Sequence, residues 1–250
     1  MTDGLFSLDG RVALVTGGSR GIGAAIASQL AGAGARVITC ARRTEESGDS
    51  IQADLSTLAG IDALAAAVRE RTDRLDVLVN NAGATWGAPL DEYPEDGWDK
   101  VMDLNVKGIH YTTAALLPLL RAAAAQDDPA RVINIGSIDG LIAPMTENYA
   151  YSASKAAVHQ LTRHLAKRLA GEHILVNAIA PGLFESKMSA FITRDEGLRG
   201  AAEATIPLKR IGRPEEIGGT AVYLASRAGG YTTGAVLVVD GGRAGAGRAD

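Results

Sequence analysis

The sequence predicts a single doubly wound α/β domain, and three observations carry that prediction. Short β-branched runs alternate with longer amphipathic segments from one end of the 250 residues to the other. The runs are almost continuously apolar rather than alternating, as in parallel strands covered by helices on both faces. No internal repeat or Pro/Ser-rich linker divides the chain, and its length suits one large core.

The strand-like runs fall at 11–16, 36–40, 77–80, 131–135, 174–179 and 236–239, and helical periodicity covers 23–33, 61–71, 98–120, 151–169 and 214–225. Pro214 opens the last of these at a position where a missing N–H costs nothing. A mostly parallel sheet follows. One crossover is short: about ten residues separate the second strand, ending near Cys40, from Ile51-Gln52-Ala53, the minimum for a parallel connection. A loop or a single helical turn is therefore expected over 44–48. The Gly/Ala/Arg-rich tail over 240–250 reads as a frayed end or an oligomer contact.

Composition narrows the function classes. Hydrophobic residues make up 46% and charged residues 22%, and the net charge is -4, which gives no bulk attraction for nucleic acid or an anionic membrane. The longest apolar stretch, 114–125, is interrupted by Pro118 and Arg121, so no membrane span is expected. Met1-Thr2-Asp3-Gly4 shows no basic segment leading into an apolar one, and a cytoplasmic location is the expectation. Cys40, the single cysteine, lies in a strand-like run and reads as packing. His110, His159, His164 and His173 show no metal-ligand spacing, so no metal is expected.

After the first strand, Thr16-Gly17-Gly18-Ser19-Arg20-Gly21-Ile22-Gly23 leads straight into a helix. Glycines let the backbone approach a pyrophosphate, and the helix N-terminus offers it unpaired N–H groups and a favourable dipole. A strand before and a helix after are the context that a dinucleotide site demands. Further on, Tyr151 and Lys155 stand one helical turn apart, placing a phenol and an ammonium on one face. A phenol titrates near pH ~10 and needs a neighbouring cation to exchange its proton at neutrality. Alone the pair also reads as an ordinary surface pair.

Thr16-Gly-x-x-x-Gly-Ile-Gly23, Asn80-Asn81-Ala82-Gly83, Ser137, Tyr151-x-x-x-Lys155 and Pro181-Gly182 occur here in one order over nearly the whole chain. In this the sequence resembles the short-chain dehydrogenase/reductase family. Within it, the chain looks most like the β-ketoacyl reductases of the rhamnolipid-pathway type, through Asn80-Asn-Ala-Gly-Ala-Thr-Trp-Gly87, Arg131-Val-Ile-Asn-Ile-Gly-Ser137 and Gly212-Arg-Pro-Glu-Glu216. The resemblance implies a Rossmann fold, a nicotinamide cofactor, reduction of a ketone to a secondary alcohol and a homotetramer in which the 98–120 and 151–169 helices pair.

The residue ending the second strand usually decides between NAD and NADP, an acidic one repelling the 2′-phosphate. Here it is Ala41, followed by Arg42 and Arg43, with Arg20 in the glycine loop, and NADPH is predicted. The alternative, that Arg42 and Arg43 are solvated loop charges, rests on Glu45 and Glu46 in the same loop. The resemblance places Gly17, Ser19, Arg20, Gly21, Ile22 and Gly23 at the pyrophosphate and Asp54 and Leu55 beside the adenine. It places Asn81, Ala82 and Gly83 in the supporting loop and Pro181, Gly182 and Ser186 at the nicotinamide. Ser186 stands where threonine is common. Asn80 reads as a brace between strands.

By the same resemblance, Tyr151 is the general acid, Lys155 lowers its pKa and holds the ribose, and Ser137 bonds the carbonyl oxygen. Asn105 completes a water-mediated proton relay to the lysine, or satisfies a buried helix backbone, or both. Tyr149 has Ala153 four residues on and is the weaker acid. Ser137 lies fourteen residues before Tyr151, so the 138–148 loop is expected to bulge toward the substrate entrance. Ile138, Met145, Trp86, Leu183, Phe184 and Met188 form an expected apolar channel suited to an acyl chain, though each alone reads equally as packing. The leading expectation is a 3-oxoacyl thioester. Another carbonyl compound (steroid, sugar or xenobiotic) is the alternative, and a non-catalytic NADP-binding sensor stands behind both. Arg121, Arg131 and Arg168 are scattered and 126–128 is acidic, which weakens docking of an acidic carrier protein.

Overall fold

The computed structural model describes residues 4–43, 49–144, 146–186 and 189–245. Seven strands form one sheet: β1 (Val12–Thr16), β2 (Arg36–Ala41), β3 (Ser50–Gln52), β4 (Val77–Asn80), β5 (Ala130–Ile135), β6 (Ile174–Pro181) and β7 (Val236–Val239). Their order is β3-β2-β1-β4-β5-β6-β7 and every pairing is parallel, so "mostly parallel" becomes wholly parallel. The helices are α1 (Gly21–Gly32), α2 (Leu58–Arg69), α3 (Glu95–Met102), α4 (Gly108–Ala123), α5 (Tyr149–Leu169), α6 (Ala190–Thr193), α7 (Glu196–Ala204) and α8 (Pro214–Ala225). No helix among the described residues is long and apolar enough to cross a membrane.

The apolar strands follow from burial on both faces. Leu14, Leu78, Val132 and Val176 feed one core with Leu64, Leu116 and Leu169 of α2, α4 and α5. Their neighbours Val15, Val79, Ile133 and Ile179 feed the other, with Ile26 and Leu30 of α1 and Ile217 and Leu224 of α8. Four polar side chains cross the first core. Asn80 Nδ2 donates to Thr113 Oγ1 (3.0 Å) and Asn134 Oδ1 (2.9 Å), and Asn134 Nδ2 donates to Thr162 Oγ1 (2.9 Å). The two threonine hydroxyls donate onward to the carbonyls of Ile109 and Val158. The brace expected of Asn80 is thus a ladder joining β4, β5, α4 and α5, each member buried with its partners. Cys40 is buried, and burial pushes its thiol up to about 12, consistent with a packing role.

Three local expectations change. The third strand begins at Ser50, one residue early, and Ala53 continues the register by donating from its N–H to the Ala41 carbonyl (3.1 Å). The expected loop or turn at 44–48 lies outside the described residues. The segment read as one helix over 98–120 starts at Glu95 and is broken by a π-helical turn, Asp103–Lys107, between α3 and α4. Such turns carry one extra residue and recur at functional sites. The start of the tail is tied down rather than frayed: Asp240 accepts the N–H groups of Gly242 (2.8 Å) and Ala244 (2.5 Å). Residues 246–250 lie outside the described residues.

Candidate active site

Strand order reverses at β1, whose neighbours are β2 and β4, and the crevice at the C-terminal ends of β1 and β4 is where open α/β sheets take ligands. Gly17 begins the turn there with φ +66 and Gly21 starts α1 with φ +56, both in the left-handed region that favours glycine. Gly23 sits against Gly17: a Cβ there would lie 2.9 Å from the Gly17 carbonyl carbon and closer still to its oxygen and to Asn81 Nδ2. Asn81 explains the crowding, since its Nδ2 donates to the carbonyls of Thr16 (2.9 Å) and Gly17 (3.1 Å). The N–H groups of Asn81 and Ala82 both donate to Thr16 Oγ1. Two loops from separate strands are thereby locked together. At α1, no side chain caps the N-terminus. Its free N–H groups, beside a backbone that no Cβ obstructs, fit a pyrophosphate.

Other expected cofactor residues surround this cradle. Ser19 and Arg20 are exposed on the turn, Ile22 is half-buried and Gly83 is exposed. Ala41 ends β2 as read from the sequence, and Arg42 and Arg43 follow it exposed; the Arg42 carbonyl accepts from Gln52 Nε2 (3.1 Å). Asp54 accepts from the N–H (3.0 Å) and hydroxyl (2.8 Å) of Ser56. Those bonds, with the nearby Arg42 charge, hold its carboxyl below the usual range, while Leu55 is core. Pro181 ends β6, and Gly182 lies so close to Asp240 that a Cβ would meet that residue at 2.7 Å. Ser186 faces Gly21, but its hydroxyl is paired with Ser189 Oγ (3.0 Å) and also accepts the Ser189 N–H (3.2 Å). The hydroxyl expected for a carboxamide is already engaged.

Tyr151 and Lys155 share a face of α5, with Lys155 Nζ 5.5 Å from the Tyr151 ring centroid. Lys155 is buried and donates to the Ile135 carbonyl (2.7 Å) at the end of β5. Ser137, two residues past that carbonyl, accepts the Asp139 N–H on Oγ (3.1 Å), which leaves its own proton free to be given elsewhere. Burial pushes the Tyr151 phenol up to about 12; contact with Ser137 opposes the shift and the charge of Asp139 adds to it. This net direction is opposite to the expected lowering, because burial and the charge of Asp139 outweigh the Ser137 contact. Burial likewise pushes Lys155 down to about 8, Asp139 opposing.

Asn105 sits in the π-helical turn, fully buried. Its Oδ1 accepts the Ala84 N–H (2.8 Å), and its Nδ2 donates to the Ala84 carbonyl (2.9 Å) and to Ser154 Oγ (2.9 Å). The backbone it satisfies is that of Ala84 in the loop after β4, not a helix backbone as expected. Gly83 brings it toward the lysine, since a Cβ there would lie 3.3 Å from Asn105 Oδ1 and 3.8 Å from Lys155 Nζ.

The expected channel does not assemble as written. Phe184 is core, packed on Gly212, and Ile138 is buried beneath Ser137. Trp86 packs on Gly97 of α3 with Lys100 4.8 Å over its ring, so it fastens a loop. Leu183 is half-buried, and Met145 and Met188 lie outside the described residues. Tyr149 packs edge-on against Tyr93, 5.6 Å between centroids, as wall rather than acid. Two residues that the sequence did not single out adjoin the site. Asp139 follows Ser137 on a short 3-10 turn, and His159, one turn beyond Lys155, is buried against Gly136. The signal for Asp139 was a carboxylate two residues from the serine inside an otherwise apolar run.

Comparison with known proteins agrees with this geometry. Residues 17–244 match the family described as enoyl-(acyl carrier protein) reductase. The rhamnolipids biosynthesis 3-oxoacyl-[acyl-carrier-protein] reductase of Pseudomonas aeruginosa is 53% identical over 95% of this chain and 97% of its own. The structure of Pseudomonas aeruginosa RhlG in an active-site complex with NADP superposes with a TM-score of 0.93 at 53% identity, covering 96% of this chain and 98% of that one. A gluconate 5-dehydrogenase from Burkholderia cenocepacia, in complex with NADP and tartrate, gives 0.88 at 32% identity, with 97% and 98% covered. With a glycine-lined cradle at the sheet's switch point and a serine, tyrosine and lysine gathered beyond β5, the chain belongs to the short-chain dehydrogenase/reductase family.

Proposed function

We propose that this protein is an NADPH-dependent reductase that converts a 3-oxoacyl thioester to the 3-hydroxyacyl thioester. The supporting observation is the grouping of Ser137, Tyr151 and Lys155 next to the glycine cradle, in a chain 53% identical to a 3-oxoacyl reductase. Arg42 and Arg43 after the neutral Ala41 suit a 2′-phosphate. When bound, NADPH supplies the hydride to the carbonyl carbon. Ser137, its lone pair occupied by the Asp139 N–H, donates its proton to the carbonyl oxygen and fixes it in place. Tyr151 delivers the proton that this oxygen needs as it gains charge. Lys155, protonated at neutral pH with a pKa of about 8, stabilises the phenolate left behind. Lys155 then passes a proton to that phenolate and regains one from solvent through a water held near Asn105, which lies close to Lys155 across Gly83.

The thioester carrier is left open on electrostatic grounds. Arg121 and Arg168 are both spent on Glu172 (2.6 and 3.2 Å), and Arg131 is buried, so these three form no patch for an acidic carrier protein. A second reading, reduction of another small carbonyl compound such as a sugar acid, is favoured by the gluconate dehydrogenase relative. A sensor that binds NADPH without turnover is the third. We further propose a cytoplasmic homotetramer assembled through the α4 and α5 faces, which sedimentation reads directly. The test of activity follows NADPH and NADH consumption with short- and long-chain 3-oxoacyl thioesters, a steroid ketone and a sugar ketone, with Tyr151→Phe as control. Turnover of thioesters with NADPH that vanishes in the variant supports the proposal. Turnover confined to another ketone replaces the substrate, and binding without turnover replaces the activity.

A further inference from the structure

One charge beside the reacting groups has no place in the mechanism above. Asp139 follows Ser137 on the 3-10 turn Ile138–Gly140, half-buried, and its N–H is the group that Ser137 Oγ accepts. Its carboxylate is fixed from the far side of the loop, Oδ2 accepting from Asn148 Nδ2 (3.2 Å), and Asn148 is the cap residue of α5 just ahead of Tyr151. The carboxylate therefore stands between the two ends of the loop that frames the site. The next residue, Gly140, packs on the backbone of Lys155, and the charge of Asp139 acts on both Tyr151 and Lys155, while His159, further along α5, packs on Gly136.

We infer that Asp139 is a specificity-determining residue that turns away ketones bearing an anionic group next to the reacting carbonyl and admits neutral ones. The inference rests on the reductase reading and sharpens it. A thioester or ester beside a ketone is neutral, whereas the same skeleton as a free 3-oxo acid, or a sugar acid, brings a carboxylate toward a fixed negative charge. Like charges in a partly desolvated site repel by enough to change a rate constant about tenfold or more.

Ethyl 3-oxobutanoate and 3-oxobutanoate form a matched pair that differs only in that charge. The wild type should reduce the ester and leave the acid nearly untouched. Asp139→Asn keeps an acceptor for Asn148 and loses the charge, so the ratio of kcat/KM for the acid to that for the ester should rise about tenfold. Asp139→Ala, which also loses the Asn148 bond, should lower both if the role were only to fasten the loop. Equal rates on ester and acid in the wild type, or no selective gain on the acid in Asp139→Asn, would overturn the inference. A readout free of any substrate separates this from failure of the reductase reading. With lysine side chains isotopically labelled and Lys155 assigned through Lys155→Arg, its NMR titration should move to lower pH in Asp139→Asn. If no 3-oxo compound is reduced, a lowered titration still supports a charge aimed at the site, and an unmoved one refutes it.

Discussion

Replacing Gly23 by alanine tests whether the cofactor cradle is set by backbone contact. The added Cβ would sit 2.9 Å from the Gly17 carbonyl carbon, with the carbonyl oxygen and Asn81 Nδ2 nearer still, and backbone cannot swing aside as a side chain can. Overpacking of this kind costs ~1–3 kcal/mol. Displacing Asn81 also removes its bonds to Thr16 and Gly17, each worth ~1 kcal/mol net. Alanine's better helix propensity returns ~1 kcal/mol, so a net loss of roughly 3 kcal/mol is expected. For a chain of this length that is a fall in Tm of roughly 6–12 °C. Melting curves with and without NADPH supply the assay, since a ligand that binds only the folded state raises Tm in proportion to its affinity. The wild type should gain stability on adding NADPH and the variant little. Gly219→Ala is the control: it lies inside α8, a Cβ there meets nothing within 4 Å, and it should gain up to ~1 kcal/mol. A Gly23→Ala protein that melts with the wild type and responds equally to NADPH would refute the reasoning.

Arg42→Ala should raise KM for NADPH about tenfold and leave that for NADH nearly unchanged, as initial rates with both cofactors will show. In the free enzyme, kcat/KM for ketone reduction should fall above about pH 8 as buried Lys155 loses its proton, and Lys155→Arg should move that limb out of range. Burial, with the charges of Lys155 and Arg163, holds His159 down at about 4, and among the described residues neither ring nitrogen has a partner. An unfolded histidine titrates near ~6.5, so the unfolded state binds the extra proton between pH ~6.5 and 4 and stability declines as pH falls through that window, by about 1–3 kcal/mol. Denaturant midpoints for His159→Leu should show a flatter dependence there. Asn134→Ala takes one partner each from Asn80 Nδ2 and Thr162 Oγ1, which keep Thr113 and the Val158 carbonyl, and should cost about 1–3 kcal/mol by urea unfolding, more than Thr162→Val.

What could be read from the sequence is what depends on spacing and covalent order. Tyr151 and Lys155 meet because four residues make a turn, and the glycines of 17–23 are forced by backbone approach, so neither needed tertiary information. The break between α3 and α4 was invisible, because a π-helical turn differs by one residue per turn and Asp103-Leu-Asn-Val-Lys107 has ordinary helical composition. Phe184 and Trp86 show the limit for apolar residues: a channel wall and a core contact carry the same hydrophobic signature, and only Gly212 and Gly97 beneath them decide. The direction of the Tyr151 shift is not legible from one helical turn, because it depends on burial and on the Asp139 charge as well as on the lysine spacing.

The Asn80–Asn134 ladder also bears on how the chain finds this sheet. Parallel strands that are apolar on both faces are nearly degenerate: β5 slid by one residue along β4 would still present Val, Ile and Ala to hydrocarbon on either side. Asn134 breaks that degeneracy. Paired opposite Asn80 it is satisfied; one step out of register it would turn toward the core under α8, with Ile217 and Leu224, as a bare amide, at a penalty of roughly 2–7 kcal/mol. The ladder is therefore a key that admits one alignment of the two central strands. Since Asn81 and Ser137 stand immediately beyond them, the same alignment fixes the distance between the cofactor cradle and the proton donors.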